Sequence, residues 1–142
     1  MALTAEQISF RYEKGGRRIL QKLDLTVAPG ERLGIAAPSG RGKTTLCKIL
    51  AGYEHPDEGC VLVDGKPLDS IRGYCPVQMV WQHPELAVDP RMRLGRTLAE
   101  ADRLEQRVID GLGIEPAWMS RYPSELSGGE LQRFCIARAL GR

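Results

Sequence analysis

The stretch 33–45, LGIAAPSGRGKTT, constrains this chain more than any other part of its sequence. A short apolar segment, 33–37, leads into a loop that contains Gly40 and Gly42, and a helical pattern follows over 44–51. Glycine permits the positive φ angles that let several backbone N–H groups of a loop turn inward. The N-terminus of the following helix adds further free N–H groups and the positive end of its dipole. The stretch therefore predicts a strand, an anion-binding loop and a helix, in that order.

The residues that follow the glycines indicate that the anion is a nucleoside triphosphate. A lysine at the start of such a helix reaches the β- and γ-phosphates, and the next hydroxyl can coordinate Mg²⁺. Lys43 and Thr44 occupy these two positions, so we expect Thr44 to be a metal ligand. The candidate phosphate-binding residues are Ala37, Pro38, Ser39, Gly40, Arg41, Gly42, Lys43, Thr44 and Thr45.

One position departs from the phosphate-loop pattern GxxxxGK[ST], which begins with glycine where this chain has Ala37. The extra methyl group is expected to strain the loop or to shift the first helical turn slightly. Because Gly40 and Gly42 remain, we interpret Ala37 as a tolerated variant. The alternative is a glycine-rich turn before an ordinary helix, which leaves the register of the strand, the lysine and the two threonines unexplained.

Composition and charge exclude several other classes of protein. The 142 residues suffice for one modest domain. The net charge of +2, with arginines scattered among acidic residues, does not indicate a nucleic-acid partner. Four cysteines without a CxxC pair or a nearby histidine predict reduced thiols rather than a disulfide framework or a zinc site. No apolar run approaches the roughly 20 residues of a membrane span, and the N-terminus does not read as a signal peptide.

The spacing of apolar residues predicts the remaining elements. Alternation or short apolar runs predict further strands at 8–12, 23–27, 60–63 and 77–81. After Pro90 the apolar residues recur every three to four positions, which indicates helices, and 131–140 continues as a helix. Because the strands come first and the helices later, the pattern predicts an α/β fold.

A second glycine pair opens a helix at 126–133, LSGGELQR. Ser127 stands at a capping position, before Gly128 and Gly129. The motif therefore predicts a second anion-binding helix N-terminus, which has no lysine of its own. Taken alone, it could equally be a plain N-cap followed by an amphipathic helix.

Together the two glycine motifs resemble those of the ABC ATPases, whose signature is LSGGQ or a close variant. The resemblance covers nearly the whole chain and implies ATP and Mg²⁺ as cofactors. It implies a P-loop NTPase core of ABC type: an N-terminal β-subdomain, the phosphate loop and its helix, and an α-helical signature subdomain, incomplete at the C-terminus. It also implies that one group of residues binds, in trans, the ATP held by a second cassette: Ser127, Gly128, Gly129 and Glu130.

The resemblance gives roles to two further residues. Tyr12 is similar to the aromatic residue that stacks on adenine, although a core aromatic at a strand end is the alternative. The stretch 80–84, VWQHP, resembles the Q-loop, in which Gln82 would contact Mg²⁺ or the attacking water and sense the membrane subunit. Gln82 is thus the candidate catalytic residue and a second candidate metal ligand. The partial domain 1–142 then divides into a nucleotide-binding part, 1–81, and a Q-loop and signature part, 82–142.

Two details are similar to the oligopeptide and nickel importer branch of the family: the variant LSGGELQR and the stretch 89–92, DPRM. This likeness implies an ATP-binding subunit that couples ATP binding and hydrolysis to the import of a peptide or nickel. The implied partners are transmembrane permease subunits and another ABC cassette, in a homo- or heterodimer. The implied location is cytoplasmic, peripheral on the inner face of the cell membrane.

The family's Walker B aspartate and catalytic glutamate find no match in the 142 residues. The stretch 61–64, VLVD, has the Walker B form, but Gly65 and Lys66 follow it and it precedes the Q-loop, so we assign it to a hairpin. His55 and His83 also come too early to be the family's switch histidine. We therefore expect a C-terminally truncated chain that binds ATP without turning it over.

Three other functions compete with the importer hypothesis. A soluble ABC ATPase of DNA repair or translation usually carries long insertions, and none is visible between Gln82 and Leu126. A phosphate-loop kinase outside the ABC family would not need the glycine pair after Ser127. A non-catalytic nucleotide-binding remnant remains open, because the Walker B segment is not found.

Overall fold

The computed structural model describes residues 1–141, which form two compact units, Met1–Val77 and Gln78 onward. The strands are β1 (Leu3–Phe10), β2 (Leu20–Val27), β3 (Glu58–Val63) and β4 (Lys66–Pro67). The α-helices are α1 (Lys43–Leu50), α2 (Leu94–Leu98), α3 (Gln106–Gly111) and α4 (Gly128–Leu140). Short 3₁₀ segments lie at Leu68–Ser70, Pro84–Leu86, Pro116–Ser120 and Pro123–Glu125.

The first unit is built on an antiparallel sheet with the strand order β2-β1-β3-β4. β1 lies at its centre, and Ala5 pairs with Leu25 on one side and Val61 on the other. Residues of β1 and β3 and the apolar face of α1 pack into one core that contains Ile8, Ile49 and Val61. The strands predicted at 23–27 and 60–63 are confirmed.

β1 differs from the strand predicted at 8–12. It begins five residues earlier and ends at Phe10, so Tyr12 lies beyond it. Ser9, which the alternation placed opposite the apolar face, is buried. The pairing of β1 with β2 is irregular between Ile8 and Phe10, and the Lys22 N–H donates to the Ser9 hydroxyl at 3.1 Å. A bulged strand can bury residues from both sets of its alternation.

Two predicted strands are wrong. The segments 33–37 and 77–81 have no strand structure, and residues 31–41 are exposed throughout, with Leu33 at 44% and Ile35 at 43%. A strand needs a neighbouring strand to satisfy its N–H and C=O groups. None of the strands in residues 1–141 pairs with either segment.

α1 ends as its sequence predicts. Ala51 is its C-cap, Gly52 follows with φ +73°, and the Tyr53 N–H donates to the Lys48 carbonyl at 2.8 Å. This is the glycine-terminated helix end in which a left-handed residue turns the chain away. The turn directs the chain toward β3, which packs in the same core as α1.

The second unit is helical, with a separate core. Leu94 and Leu98 of α2 pack with Trp118 and with Leu131 and Phe134 of α4, and Phe134 is fully buried. The apolar spacing after Pro90 is confirmed in α2 and α3, and the helix predicted at 131–140 is confirmed in α4. No helix in residues 1–141 combines the length and apolarity needed to cross a bilayer.

Candidate nucleotide-binding site

The loop before α1 needs its two later glycines. Gly40 has φ +74° and Gly42 has φ +86°, which are conformations that other residues rarely adopt. A Cβ atom on Gly42 would also lie 2.8 Å from Ile19 Cγ2. Both the backbone conformation and the close packing therefore require glycine at position 42.

The N-terminus of α1 carries no capping side chain. Gly42 is the N-cap, and the first helical hydrogen bond runs from the Leu46 N–H to the Gly42 carbonyl at 2.8 Å. The helix itself therefore provides no acceptor for the N–H groups of its first three residues, 43–45. Thr44 is exposed at this end, as a ligand for a bound cation would have to be.

The Lys43 ammonium group folds back over the loop. It donates to the carbonyl of Ala37 and, at 3.0 Å, to that of Pro38. Two neutral carbonyl oxygens thus accept hydrogen bonds from the ammonium group, and a charged phosphate oxygen would bind it more strongly. The geometry brings the lysine and the start of the predicted loop together.

Ala37 shows no strain in its φ angle. The non-glycine residues with positive φ among those described are Gln7, Lys22 and Asp64, so the φ angle of Ala37 is not positive. The expected strain of the extra methyl group is therefore absent from this dihedral angle. The exposed carbonyl of Ala37 still bonds Lys43.

Tyr12 is joined to the same helix. Its hydroxyl lies 2.9 Å from the Thr45 hydroxyl, and its ring meets that of Phe10 edge to face at 5.0 Å. The side chain is 59% exposed. The alternative interpretation, a buried core aromatic, does not fit this exposure.

The start of α4 differs from that of α1 because its own side chains cap it. The Ser127 hydroxyl accepts the Glu130 N–H at 3.3 Å, and the Glu130 carboxylate accepts the Ser127 N–H at 2.7 Å. The pKa of Glu130 is lowered from its ordinary value of 4.5. The larger cause is hydrogen bonding to the Ser127 side chain, and the second is hydrogen bonding to the Ser127 backbone N–H. Gly128 and Gly129 have open space beside them.

The residues around Gln82 are held against α4. Gln82 itself is exposed, but the carbonyl of the preceding Trp81 accepts from Gln132 Nε2 at 3.2 Å. Arg138 donates to the Ala87 carbonyl at 2.6 Å. Gln132 and Arg138 therefore fix this segment beside the signature helix, and sequence reasoning missed both. Six residues of an α-helix turn through about 600°, which leaves Gln132 and Arg138 about 120° apart around α4, so no same-face spacing in the sequence signals the pair.

The chain also matches a known family over most of its length. The protein-family model described as ABC transporter matches residues 20–142, which include both glycine-rich helix starts. The chain belongs to the ABC transporter family. The predicted ABC-type P-loop fold is confirmed, with its β-rich part, phosphate loop and signature helix.

Three similar ABC proteins illustrate the match. The nickel import ATP-binding protein NikE of Rhodospirillum rubrum is 37% identical over 144 residues, 87% of this chain and 51% of that protein. The taurine import ATP-binding protein TauB of Pseudomonas aeruginosa is 39% identical over 148 residues, 97% of this chain and 56% of that protein. A dimeric structure of a bacterial ABC transporter cassette has a TM-score of 0.76 at 24% identity, covering 98% of this chain and 69% of that chain.

This ABC chain spans about half the length of the curated relatives described above. Within it, the structure joins Lys43 to the loop, Tyr12 to Thr45, and Ser127 to Glu130. The two candidate metal ligands, Thr44 and Gln82, belong to different compact units, so a shared Mg²⁺ site stays a prediction. The functional division at 81/82 also stays a prediction, and the boundary between the compact units lies at 77/78.

Proposed function

We propose that this chain binds ATP at the start of α1, as part of the ATP-binding subunit of an ABC importer. The observation that carries the proposal is the uncapped start of α1, with Gly42 in a left-handed conformation and Lys43 beside it. The names of the two import subunits that are more than a third identical support the importer part. ATP hydrolysis coupled to transport is the activity that we propose for the whole protein.

Each part of the site has a defined task in this proposal. The triphosphate replaces the Ala37 and Pro38 carbonyls on the Lys43 ammonium group and accepts the N–H groups of 43–45. Mg²⁺ would be held by the Thr44 hydroxyl, whose oxygen suits this hard cation. Gln82, in the other compact unit, stays a separate candidate ligand. The metal would neutralise charge on the β- and γ-phosphates. The solvent-exposed aromatic ring of Tyr12 stacks on the adenine base.

The second helix start serves a partner cassette. Its own cap occupies the Glu130 N–H, but Gly128 and Gly129 stay open to an approaching anion. A homo- or heterodimer in which this surface closes on ATP held by the partner's phosphate loop explains why it has no lysine. Ser127→Arg should then block ATP-dependent pairing with a full-length ABC cassette in size-exclusion chromatography. Pairing that survives this substitution would contradict the assignment.

The segment after Gln82 is the proposed contact with a permease subunit, which would place the protein at the inner face of the membrane. Leu86 is 81% exposed, whereas Trp81 and Met92 are only partly exposed. Asp89 of this segment lines an open cavity of about 610 Å³, together with residues that include Met92, Arg96 and Met119. Cross-linking from Asp89→Cys to a co-expressed permease tests this contact, and an assembled complex without an adduct would contradict it.

Lys43→Ala tests nucleotide binding. A hydrogen bond to a charged group contributes about 1.5–3 kcal/mol, so affinity for ATP should fall about tenfold or more. The measurement is calorimetric titration of ATP into the purified chain. Lys48→Ala is the matched control, because it removes the same charge from the same helix five residues later, where Lys48 pairs with Glu54 at 4.0 Å. Unchanged affinity in a folded Lys43→Ala variant would overturn the phosphate-loop assignment.

A further inference from the structure

One hydrogen bond connects the exposed aromatic ring to the phosphate-binding helix. Tyr12 Oη and Thr45 Oγ1 lie 2.9 Å apart, and Thr45 stands two residues after Lys43 on α1. Thr45 is only 6% exposed, so its position is fixed by the packing around it. The ring of Tyr12 therefore has one end attached to a rigid element.

The rest of Tyr12 is largely exposed. It begins an exposed stretch, 12–18, that contains Gly15 with φ +85°. The ring meets that of Phe10 edge to face at 5.0 Å, a contact that favours this arrangement of the two rings. The hydroxyl contact with Thr45 adds a directional bond at the far end of the ring, and the two contacts together hold one ring orientation.

We propose that Thr45 is a positioning residue for base recognition: its hydroxyl holds the Tyr12 ring ready for the adenine. This inference rests on the proposed function and adds a role for Thr45 besides phosphate binding. Because the ring is attached to α1, the distance between base platform and phosphate loop is set before the nucleotide arrives. Fixing the ring in advance reduces the entropy lost when the base stacks.

The experiment separates the base from the phosphates. Titrations with ATP and with inorganic tripolyphosphate give two dissociation constants. The dissociation constant for tripolyphosphate divided by that for ATP measures how much affinity the adenosine part adds. Tyr12→Phe keeps the ring and its contact with Phe10 but removes the hydroxyl, so the ratio should fall about two- to tenfold, the range of one neutral hydrogen bond. Thr45→Val should reduce the ratio similarly, and Thr45→Ser, which keeps a hydroxyl, should preserve it.

The double variant tests whether the two hydroxyls act as a pair. Tyr12→Phe combined with Thr45→Val should have the same ratio as Thr45→Val alone, because one bond cannot be lost twice. Additive losses, or a ratio that Tyr12→Phe leaves unchanged, would overturn the inference. A purely structural bond would lower the melting temperature and weaken both ligands equally without changing the ratio. If the unmodified chain binds neither ligand, the proposed function itself fails.

Discussion

Helices α1 and α4 both begin with glycine-containing turns, but they satisfy their first N–H groups differently. At α1 the N-cap is Gly42, and no side chain accepts a hydrogen bond from the first turn. At α4 the Ser127 and Glu130 side chains close a reciprocal capping box. The first helix start is therefore incomplete without an external acceptor, whereas the second is largely complete by itself.

This difference supports the proposal that the two motifs have different tasks. An uncapped helix start beside Lys43 offers both a charge and free N–H groups, so it can bind an anion within a single chain. The capped start of α4 presents a carboxylate, that of Glu130, close to any anion that approaches. This agrees with the proposal that it contacts a nucleotide held by another subunit and does not capture one alone.

Replacing Gly42 at the start of α1 and Gly128 at the start of α4 by alanine should give the largest difference in stability between the two helix starts. In Gly42→Ala the left-handed φ of +86° and the 2.8 Å approach to Ile19 should together destabilise the fold. The expected loss is about 1–3 kcal/mol, the cost of such a conformation for a non-glycine residue. ATP binding should fall with it. Chemical unfolding and ATP titration measure both effects.

Gly128→Ala is the matched control for that variant. Gly128 opens α4 with open space beside it, and it is not among the glycines with positive φ. Alanine there should leave stability unchanged or raise it by up to about 1 kcal/mol, the difference in helix propensity. Equal destabilisation by both substitutions would contradict the distinction between the two starts.

Local spacing in the sequence predicted the elements that share one core and failed where a neighbour was needed. β2, β3, α1 and α4 follow from apolar residues that recur on one face. The segments 33–37 and 77–81 have the same apolar character but no strand structure. Apolar content cannot say whether another strand is present to satisfy the backbone, so it predicted strands in both places.

The candidate site was predictable in its residue types and not in its contacts. Gly42 and Lys43 follow from what a positive φ and a phosphate require of a residue. The contact between Tyr12 and Thr45 spans 33 positions, and that between Gln132 and Trp81 spans 51. Such distant pairs depend on how the elements pack, which local patterns do not contain.

Removal of the α4 cap should have a moderate effect. Ser127→Ala deletes the hydroxyl that accepts the Glu130 N–H and should cost about 1 kcal/mol of stability. ATP affinity of the single chain should not change, because we propose that the phosphates bind at α1. Ser124→Ala, an exposed serine three residues earlier, is the control for chemical unfolding. A loss of ATP affinity in Ser127→Ala as large as that in Lys43→Ala would contradict the proposal that the phosphates bind at α1 and not at α4.

The pH dependence of the same cap should give the smallest effect. Because folding lowers the pKa of Glu130, its contribution to stability is complete above the ordinary value of 4.5 and disappears as the pH falls through the lower folded value. Glu130→Gln removes that titration. The difference in unfolding free energy between the unmodified chain and Glu130→Gln should therefore be constant at neutral pH and shrink in acid. A difference that grows in acid would contradict the capping geometry.

The most direct test is to observe which helix start takes the triphosphate. Amide NMR of the ¹⁵N-labelled chain, titrated with Mg·ATP, reports separately on the N–H groups of 40–45 and of 128–131. We expect saturable shifts at 40–45, lost in Lys43→Ala, with the amides of 128–131 unmoved in the single chain. Saturable shifts at 128–131 that persist in Lys43→Ala, with 40–45 unmoved, would contradict it.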